Sequence, residues 1–266
     1  MLADLKDTGE ADAVADWIFV KVLGVERSAL PTLTLIDEDK AEEAKGYARR
    51  VKEGEPLQYV LGETDFYGVT VKTDPRALIP RGDTEVLVEE AVKCMNEMTK
   101  QGLTPSVLDI CTGSGAIAIA LSVKTKVRVT ATDVSDDALA LAKENVDLTG
   151  ADVTVLKSDL FENIEGEFDL ITANPPYIPS AEVEKLDDYV KREPRLALDG
   201  GADGLDYYRK IRLGALSRLK VGGVLLLEIG FDQGAAVSAL FADMGEITVI
   251  PDLEGHDRVV KVIRNV

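Results

Sequence analysis

Apolar positions in the first fifth of the chain recur at helical spacing, whereas farther on they come in short continuous runs. Leu5, Val14, Trp17, Ile18, Val22 and Leu23 follow the three-to-four-residue rhythm of an amphipathic helix. The charged stretch "DEDKAEEAKGYARRVKEGE" (37–55) after them reads as a solvated helical face. Residues 1–54 are therefore expected to form a small helical domain. The texture changes at Glu55: "YVLGETDFYGVTVKT" (59–73) reads as two short strands around Gly62 and Gly68, a hairpin connector within 55–82. A helix is expected from about 83 to 100. Strand and helix patterns then alternate: strand 106–110, helix 115–123, strand 127–132, helix 136–149, strands 153–157 and 168–173, helix 204–219 and strand 223–229. Two further strands near 246–250 and 258–264 read as an antiparallel edge pair. Residues 83–266 thus predict an α/β domain with a doubly wound, mostly parallel seven-stranded sheet.

Composition narrows the partners. The chain has 266 residues, 45% of them hydrophobic, which suffices for one large domain and a smaller one. Its net charge of −18 argues against broad binding of a phosphate backbone, which needs clustered Lys and Arg, so nucleic acid is disfavoured as a partner. Cys94 and Cys111 form no CxxC pair and His256 is the single histidine, so no metal site is expected and a reducing compartment is. No apolar run reaches the ~20 residues needed to span a bilayer, and "MLADLKDTGEADAV" is too acidic for a signal or transit peptide. The expectation is a cytoplasmic protein without a membrane partner.

Two junctions carry the candidate chemistry. In "VLDICTGSGAIAIAL" (107–121), Gly113 and Gly115 stand between a strand and a helix, where glycine permits a tight turn and close approach of the backbone to a ligand. With Ala118 the spacing also satisfies a dinucleotide pattern, so the loop alone leaves the ligand open. Asp133 ends the next strand, where a carboxylate can accept both hydroxyls of a ribose; its plain alternative is a charge at the start of the following helix. Asp109, just ahead of the loop, is an anion where pyrophosphate is unwelcome. In "LKSDLF" (156–161), Asp159 can meet an adenine amine and the Leu160 backbone can frame the ring, although a solvated loop acid is the simpler role for Asp159. Together these cues favour S-adenosylmethionine, which is cationic and has no phosphate. The second junction is "ITANPPYIPS" (171–180), where a strand runs straight into Asn174, Pro175, Pro176 and Tyr177. The prolines stiffen the corner and donate no N–H. What remains is a display of carbonyls, one amide and one aromatic ring, suited to a flat, neutral guest bearing NH2.

With that Asn-Pro-Pro-Tyr corner the chain resembles the amino-methylating class I methyltransferases, a Rossmann-like group that includes DNA adenine and RNA guanine enzymes. More specific are "PLQYVLGETDFYG" (56–68), "LIPRGDTEVLV" (78–88), "EPRLALDGGADGLDYYRKI" (193–211), "LLLEIGFDQG" (225–234) and "DLEGHDRVV" (252–260). These resemble the release factor glutamine methyltransferases of the HemK/PrmC type over residues 55–264. The resemblance departs at Cys111, where the family usually has glycine. It implies methyl transfer from S-adenosylmethionine, without a metal, to the side-chain amide nitrogen of the glutamine in the Gly-Gly-Gln motif of a peptide chain release factor, recognised in part by the N-terminal helices. It also implies that Cys111, Thr112, Gly113, Ser114, Gly115, Asp133 and Leu160 border the cofactor, joined by Asn174. Asn174, Pro175, Pro176 and Tyr177 would hold the glutamine. In the reaction, the Asn174 side-chain oxygen and the Pro175 carbonyl would accept the two amide N–H groups, with Tyr177 stacked on the amide plane, so no catalytic histidine is required. For Arg81 and Glu85 an ion pair or cap competes with substrate contact, Glu228 fits orientation of the site or support of the sheet, Cys94 fits packing, and His256 fits a surface loop. Competing readings are a nucleic-acid amino methyltransferase, a nicotinamide dehydrogenase, and a binding module that uses the fold without chemistry.

Overall fold

The computed structural model describes residues 11–33 and 35–265; the expected helical position Leu5 lies outside them. Helix α1 (Ala11–Leu23) buries Val14, Ala15, Ile18 and Val22, one stripe of its surface, against Ala44 and Ala48 of α2 (Glu38–Lys52). Trp17 does not join them: it stands 41% exposed, its ring 5.6 Å from the Arg27 guanidinium carbon. Leu57 and Leu61 of the short α3 (Leu57–Leu61) close the cluster. That helical turn corrects the expected strand start at Tyr59. Gly62, left-handed at φ 75°, caps the turn and redirects the chain, so β1 begins only at Glu63.

Strands β1 (Glu63–Phe66) and β2 (Val69–Lys72) form the expected hairpin, closed by Tyr67 and Gly68 with φ of 48° and 71°, the positive values a tight two-residue turn demands. Glu85 accepts the Tyr67 N–H at 2.8 Å and ties this turn to α4 (Glu85–Lys100). Phe66 and Val71 pack beneath α4, whose apolar stripe is Leu87, Val88, Ala91, Cys94 and Met95.

The remaining elements are β3 (Val107–Ile110), α5 (Ala116–Thr125), β4 (Val129–Asp133), α6 (Asp136–Thr149), β5 (Val153–Lys157), β6 (Phe168–Ala173), α7 (Ser180–Val183), α8 (Asp206–Arg218), β7 (Leu219–Glu228), α9 (Gly234–Phe241), β8 (Gly245–Pro251) and β9 (Asp257–Arg264). The sheet is seven-stranded in the order β5-β4-β3-β6-β7-β9-β8, parallel except that β9 runs against both neighbours. Helix α6 shows how local chemistry sets the boundaries. The Ser135 hydroxyl accepts the Ala138 N–H at 3.2 Å, Asp136 and Asp137 occupy the first turn, and left-handed Gly150 ends the helix. From β3 the chain winds outward through β4 and β5, then crosses back to lay β6 on the other side of β3. The crevice of such a sheet opens at this reversal, beyond the carboxyl ends of its central strands. Register aligns those ends: Ile110 pairs with Thr132 and with Ala173, and Ala173 pairs with Leu227. Asp133, the loop at 111, Asn174 and Glu228 consequently stand in one row.

Candidate active site

The first cavity lies over the ends of β3, β4 and β6. It is lined by Cys111, Thr112, Gly113, Ser114, Asp133, Leu160, Asn174 and Pro176 from the predicted set, and by Asp159. Gly115 is not on the wall. Its φ is 82°, and a Cβ there would lie 3.2 Å from the Ala142 Cβ, so it serves the turn and the packing of α5 on α6. Cys111 is also left-handed, φ 56°, a conformation that disfavours a side chain by about 1–2 kcal/mol. A glycine at that position would carry no such penalty.

Asp133 is held by the loop it faces. Its Oδ2 accepts the Gly113 N–H at 2.9 Å and its Oδ1 the Ser135 N–H at 3.0 Å; burial nevertheless raises its pKa, against those two donors. Each oxygen retains a lone pair for a guest. Asp109 lies elsewhere than the sequence suggested: it is fully buried beneath the loop and absent from the cavity wall. The hydroxyls of Thr112 and Thr172 donate to it at 2.6 and 2.7 Å, while burial, with Asp133 nearby, pushes its carboxyl up to about 7. It supports the loop rather than meeting a ligand. The cavity wall includes Arg76 and Arg81, both engaged with carboxylates: Arg76 with Asp74 and Glu144, Arg81 with Glu193.

A second cavity adjoins the first and shares Asn174 with it; Tyr177, Arg81 and Glu228 are also on its wall. The Asn174 Nδ2 donates to Thr84 Oγ1 at 3.3 Å, and no described residue donates to its Oδ1 or to the Pro175 carbonyl. Pro175 itself is buried and lines neither cavity. Tyr177 packs against the core below and is buttressed from behind: Gln233 donates to its carbonyl at 3.0 Å, and a Cβ on Gly200 would come within 2.7 Å of its Cα. Just beyond it, Ile178 N–H donates to Leu198 O at 3.0 Å and Gly200 N–H to Ile178 O at 2.8 Å, which fastens the base of the long strap 179–197. Pro194, Leu196 and Ala197 on that strap face the cofactor-side cavity, and Tyr189 and Val190 the other.

Comparison with known proteins matches the chain to a lineage. Residues 85–191 match the Methyltransferase small domain and residues 2–62 the PrmC N-terminal domain. A release factor glutamine methyltransferase of Geobacter sulfurreducens is 39% identical over 262 residues, covering 96% of this chain and 90% of the relative. The chain belongs to the release factor glutamine methyltransferase family. A second member, from Moorella thermoacetica, is 43% identical over 212 residues, 77% of this chain and 74% of that one. A Pyrococcus furiosus methyltransferase of known structure shares the fold, with a TM-score of 0.55 at 18% identity over 76% of this chain and 91% of that chain.

In this release factor glutamine methyltransferase relative, the contacts that sequence reasoning missed are long-range. Glu193, whose side chain is 0% exposed, accepts the Ile79 N–H at 2.9 Å and pairs with Arg81, pinning the connector to the strap across the site. Thr84 and Tyr207 also reach the first cavity. Glu85 serves the hairpin turn, Cys94 is in the core, and His256 is exposed beside Asp252 and Glu254. Among the described residues no cluster of His, Cys, Asp and Glu could hold a metal ion, and no helix is long and apolar enough to cross a membrane.

Proposed function

We propose that the chain transfers a methyl group from S-adenosylmethionine to the side-chain amide nitrogen of the glutamine in the Gly-Gly-Gln motif of a peptide chain release factor. The observation that carries this reading is Asn174: its amide stands on the wall common to two cavities with an unclaimed oxygen, beside an unclaimed proline carbonyl, in a chain of this family. The first cavity fits the cofactor chemically. Ile117, Ala138 and Leu160 supply apolar surface for an adenine, Asp133 supplies an acceptor for ribose hydroxyls, and the arginines on the wall are already paired, so no free guanidinium awaits a pyrophosphate. Cys111 to Ser114, Asp133, Leu160 and Asn174 would hold it, with Gly115 shaping the turn.

When bound, S-adenosylmethionine supplies an electrophilic methyl group on a sulfonium. The work left to the protein is on the nucleophile. An amide nitrogen shares its lone pair with the carbonyl and attacks poorly, so orientation matters more than a base. The Asn174 Oδ1 and the Pro175 carbonyl accept the two N–H groups and fix the direction of the nitrogen; Tyr177 bounds the amide plane. The surplus proton leaves to those acceptors or to water. Residues 1–54 and the 55–82 connector engage the release factor body while residues 83–266 carry the chemistry in a cytoplasmic enzyme that needs no metal.

The test is incorporation of labelled methyl into a purified release factor and into a variant whose motif glutamine is replaced, with tRNA, rRNA fragments and DNA in parallel. Labelling confined to the wild-type release factor is expected. Equal labelling of both release factors, or labelling of a nucleic acid alone, overturns the reading and favours a nucleic-acid amino methyltransferase.

A further inference from the structure

Glu228 is the last residue of β7, and the pairing of Ala173 with Leu227 sets it level with Asn174 on the neighbouring strand. It is 2% exposed and lines the second cavity together with Asn174 and Tyr177. Its surroundings leave it short of partners. Oε2 has no hydrogen bond, Oε1 has a 3.5 Å approach from the Tyr177 hydroxyl, and the nearby guanidinium of Arg258 is taken by Asp83 and Asp252, each at 3.1 Å. A buried carboxyl left this way costs stability unless something uses it.

We propose that Glu228 positions the Asn174 amide: its acceptor-only carboxylate draws the Asn174 NH2 toward the sheet and so turns Oδ1 to the substrate. This rests on the methyl-transfer reading and adds to it the residue that orients the acceptor. The two ends of an asparagine amide are alike in shape, so a neighbour that can only accept decides which end faces it. The Asn174 Nδ2 already points to Thr84 Oγ1. Asn174 and Thr84 both approach Glu228 closely enough to favour its charged form, yet neither completes a hydrogen bond to Oε2. A rotation of the amide completes the contact when a guest occupies Oδ1.

The arrangement makes the site sensitive to protons. Burial pushes the Glu228 carboxyl up to about 7; the Thr84 donor and Arg258 work against that rise and Asp83 with it. The groups facing it are Tyr177 from the corner, Arg81 from the connector, Asp83 from the turn just before α4, Arg258 from β9, and Tyr208 of α8, whose hydroxyl donates to the Glu228 backbone carbonyl at 2.8 Å. Once protonated, Glu228 carries an O–H that competes for Asn174 Oδ1, and the bias reverses. Turnover then depends on the ionised form and rises with pH.

The experiment measures kcat and KM for methylation of release factor from about pH 6 to 9 in wild type, Glu228→Gln, Glu228→Asp, Asn174→Ala and the Asn174→Ala/Glu228→Gln pair, with S-adenosylmethionine affinity by calorimetry and thermal midpoints alongside. The expected result is a wild-type kcat that climbs through a pKa near 7, a limb kept by Glu228→Asp and lost in Glu228→Gln. At high pH Glu228→Gln should lose about 10- to 150-fold in kcat, the loss of one charge-assisted hydrogen bond, with KM and cofactor affinity little changed and the thermal midpoint no lower than that of wild type. In the Asn174→Ala background the same substitution should add almost nothing, because its effect acts through Asn174. Any of three results overturns the inference: a limb that survives in Glu228→Gln, effects that multiply fully in the double variant, or a drop in kcat matched by loss of cofactor affinity and folding. Wild type is the reference in every arm, so an unlabelled release factor there counts against the methyl-transfer reading, whereas a wild-type profile in Glu228→Gln counts against this inference alone.

Discussion

At the amino end of the sheet Asp169 on β6 accepts the N–H and the hydroxyl of Ser106 at 2.8 and 2.7 Å and pairs with Lys220 at 2.8 Å. At the carboxyl end Asp109 on β3 has two threonine hydroxyls, and the Glu228 carboxylate on β7 has one long hydrogen bond, from the Tyr177 hydroxyl at 3.5 Å. Neither makes an ion pair among the described residues. The titration behaviour follows. Burial works to raise the Asp169 pKa, but Lys220 and the Ser106 donors outweigh it and hold the carboxyl below the usual range; burial wins at Asp109 and Glu228, which move up to about 7. One end is finished for stability. The other keeps polar capacity in reserve, at the expense of stability, where a ligand and a substrate can use it.

The sharpest way to break that contrast is Asn174→Ala, which removes an acceptor from the reserve end. Turnover should fall by roughly 10² to 10³, as when an orienting polar group is removed from other active sites, with cofactor affinity nearly unchanged. Survival of turnover within a fewfold would end the amide-clamp mechanism. Next in size is Asp133→Ala. Loss of charge-assisted hydrogen bonds to a ribose should weaken S-adenosylmethionine by about 10- to 150-fold in a calorimetric titration. Unchanged affinity would remove Asp133 from the cofactor site.

Two smaller effects concern folding without ligand. Asp109 and Glu228 have raised folded pKa values, so their stabilising contribution is full below their unfolded values near 4 and is lost as pH rises through about 7. Thermal midpoints should therefore fall across that window more steeply in wild type than in Glu228→Gln. Repulsion from the net charge of −18 acts on both proteins and cancels in the difference. Parallel curves would mean that Glu228 is not buried in the neutral form. Asp169 has the opposite sign: its contribution is present above the unfolded pKa and lost as pH falls through the depressed folded value. Asp169→Asn should cost about 1 kcal/mol at neutral pH, discounted for partial exposure, and leave turnover at saturating substrate intact. A large loss of activity there would show that the two ends are coupled.

How much of this was legible depended on sequence distance. The glycine loop, Asp133 and the Asn-Pro-Pro-Tyr corner were readable because each follows its own strand, and register alone then assembles them. The alternating pattern likewise gave the doubly wound sheet and its edge pair. Elements without a strong periodic contrast were not readable. Helix α9, "GAAVSALF", offers small residues on most faces, and the start of β7 at Leu219 is masked by Gly222 and Gly223 and by a register shift opposite Phe168. Pairs remote in sequence left no trace at all: Arg81 meets Glu193 across 112 positions, and Asp109 reads as a loop anion although strand alternation puts it underneath.

The fastening of Ile178 to Leu198 and Gly200 has a consequence for how such enzymes diversify. The stretch between them leaves and returns at one point, so its anchorage to the corner does not depend on what lies between. Lengthening a loop whose ends are already joined is thermodynamically mild, about 0.6 kcal/mol per doubling. Residues 184–192, ahead of the Glu193 pin and clear of the cofactor-side wall, can therefore be exchanged or extended as a cassette while the corner behind them keeps its shape, which makes this segment the natural handle for retargeting the site to a different protein.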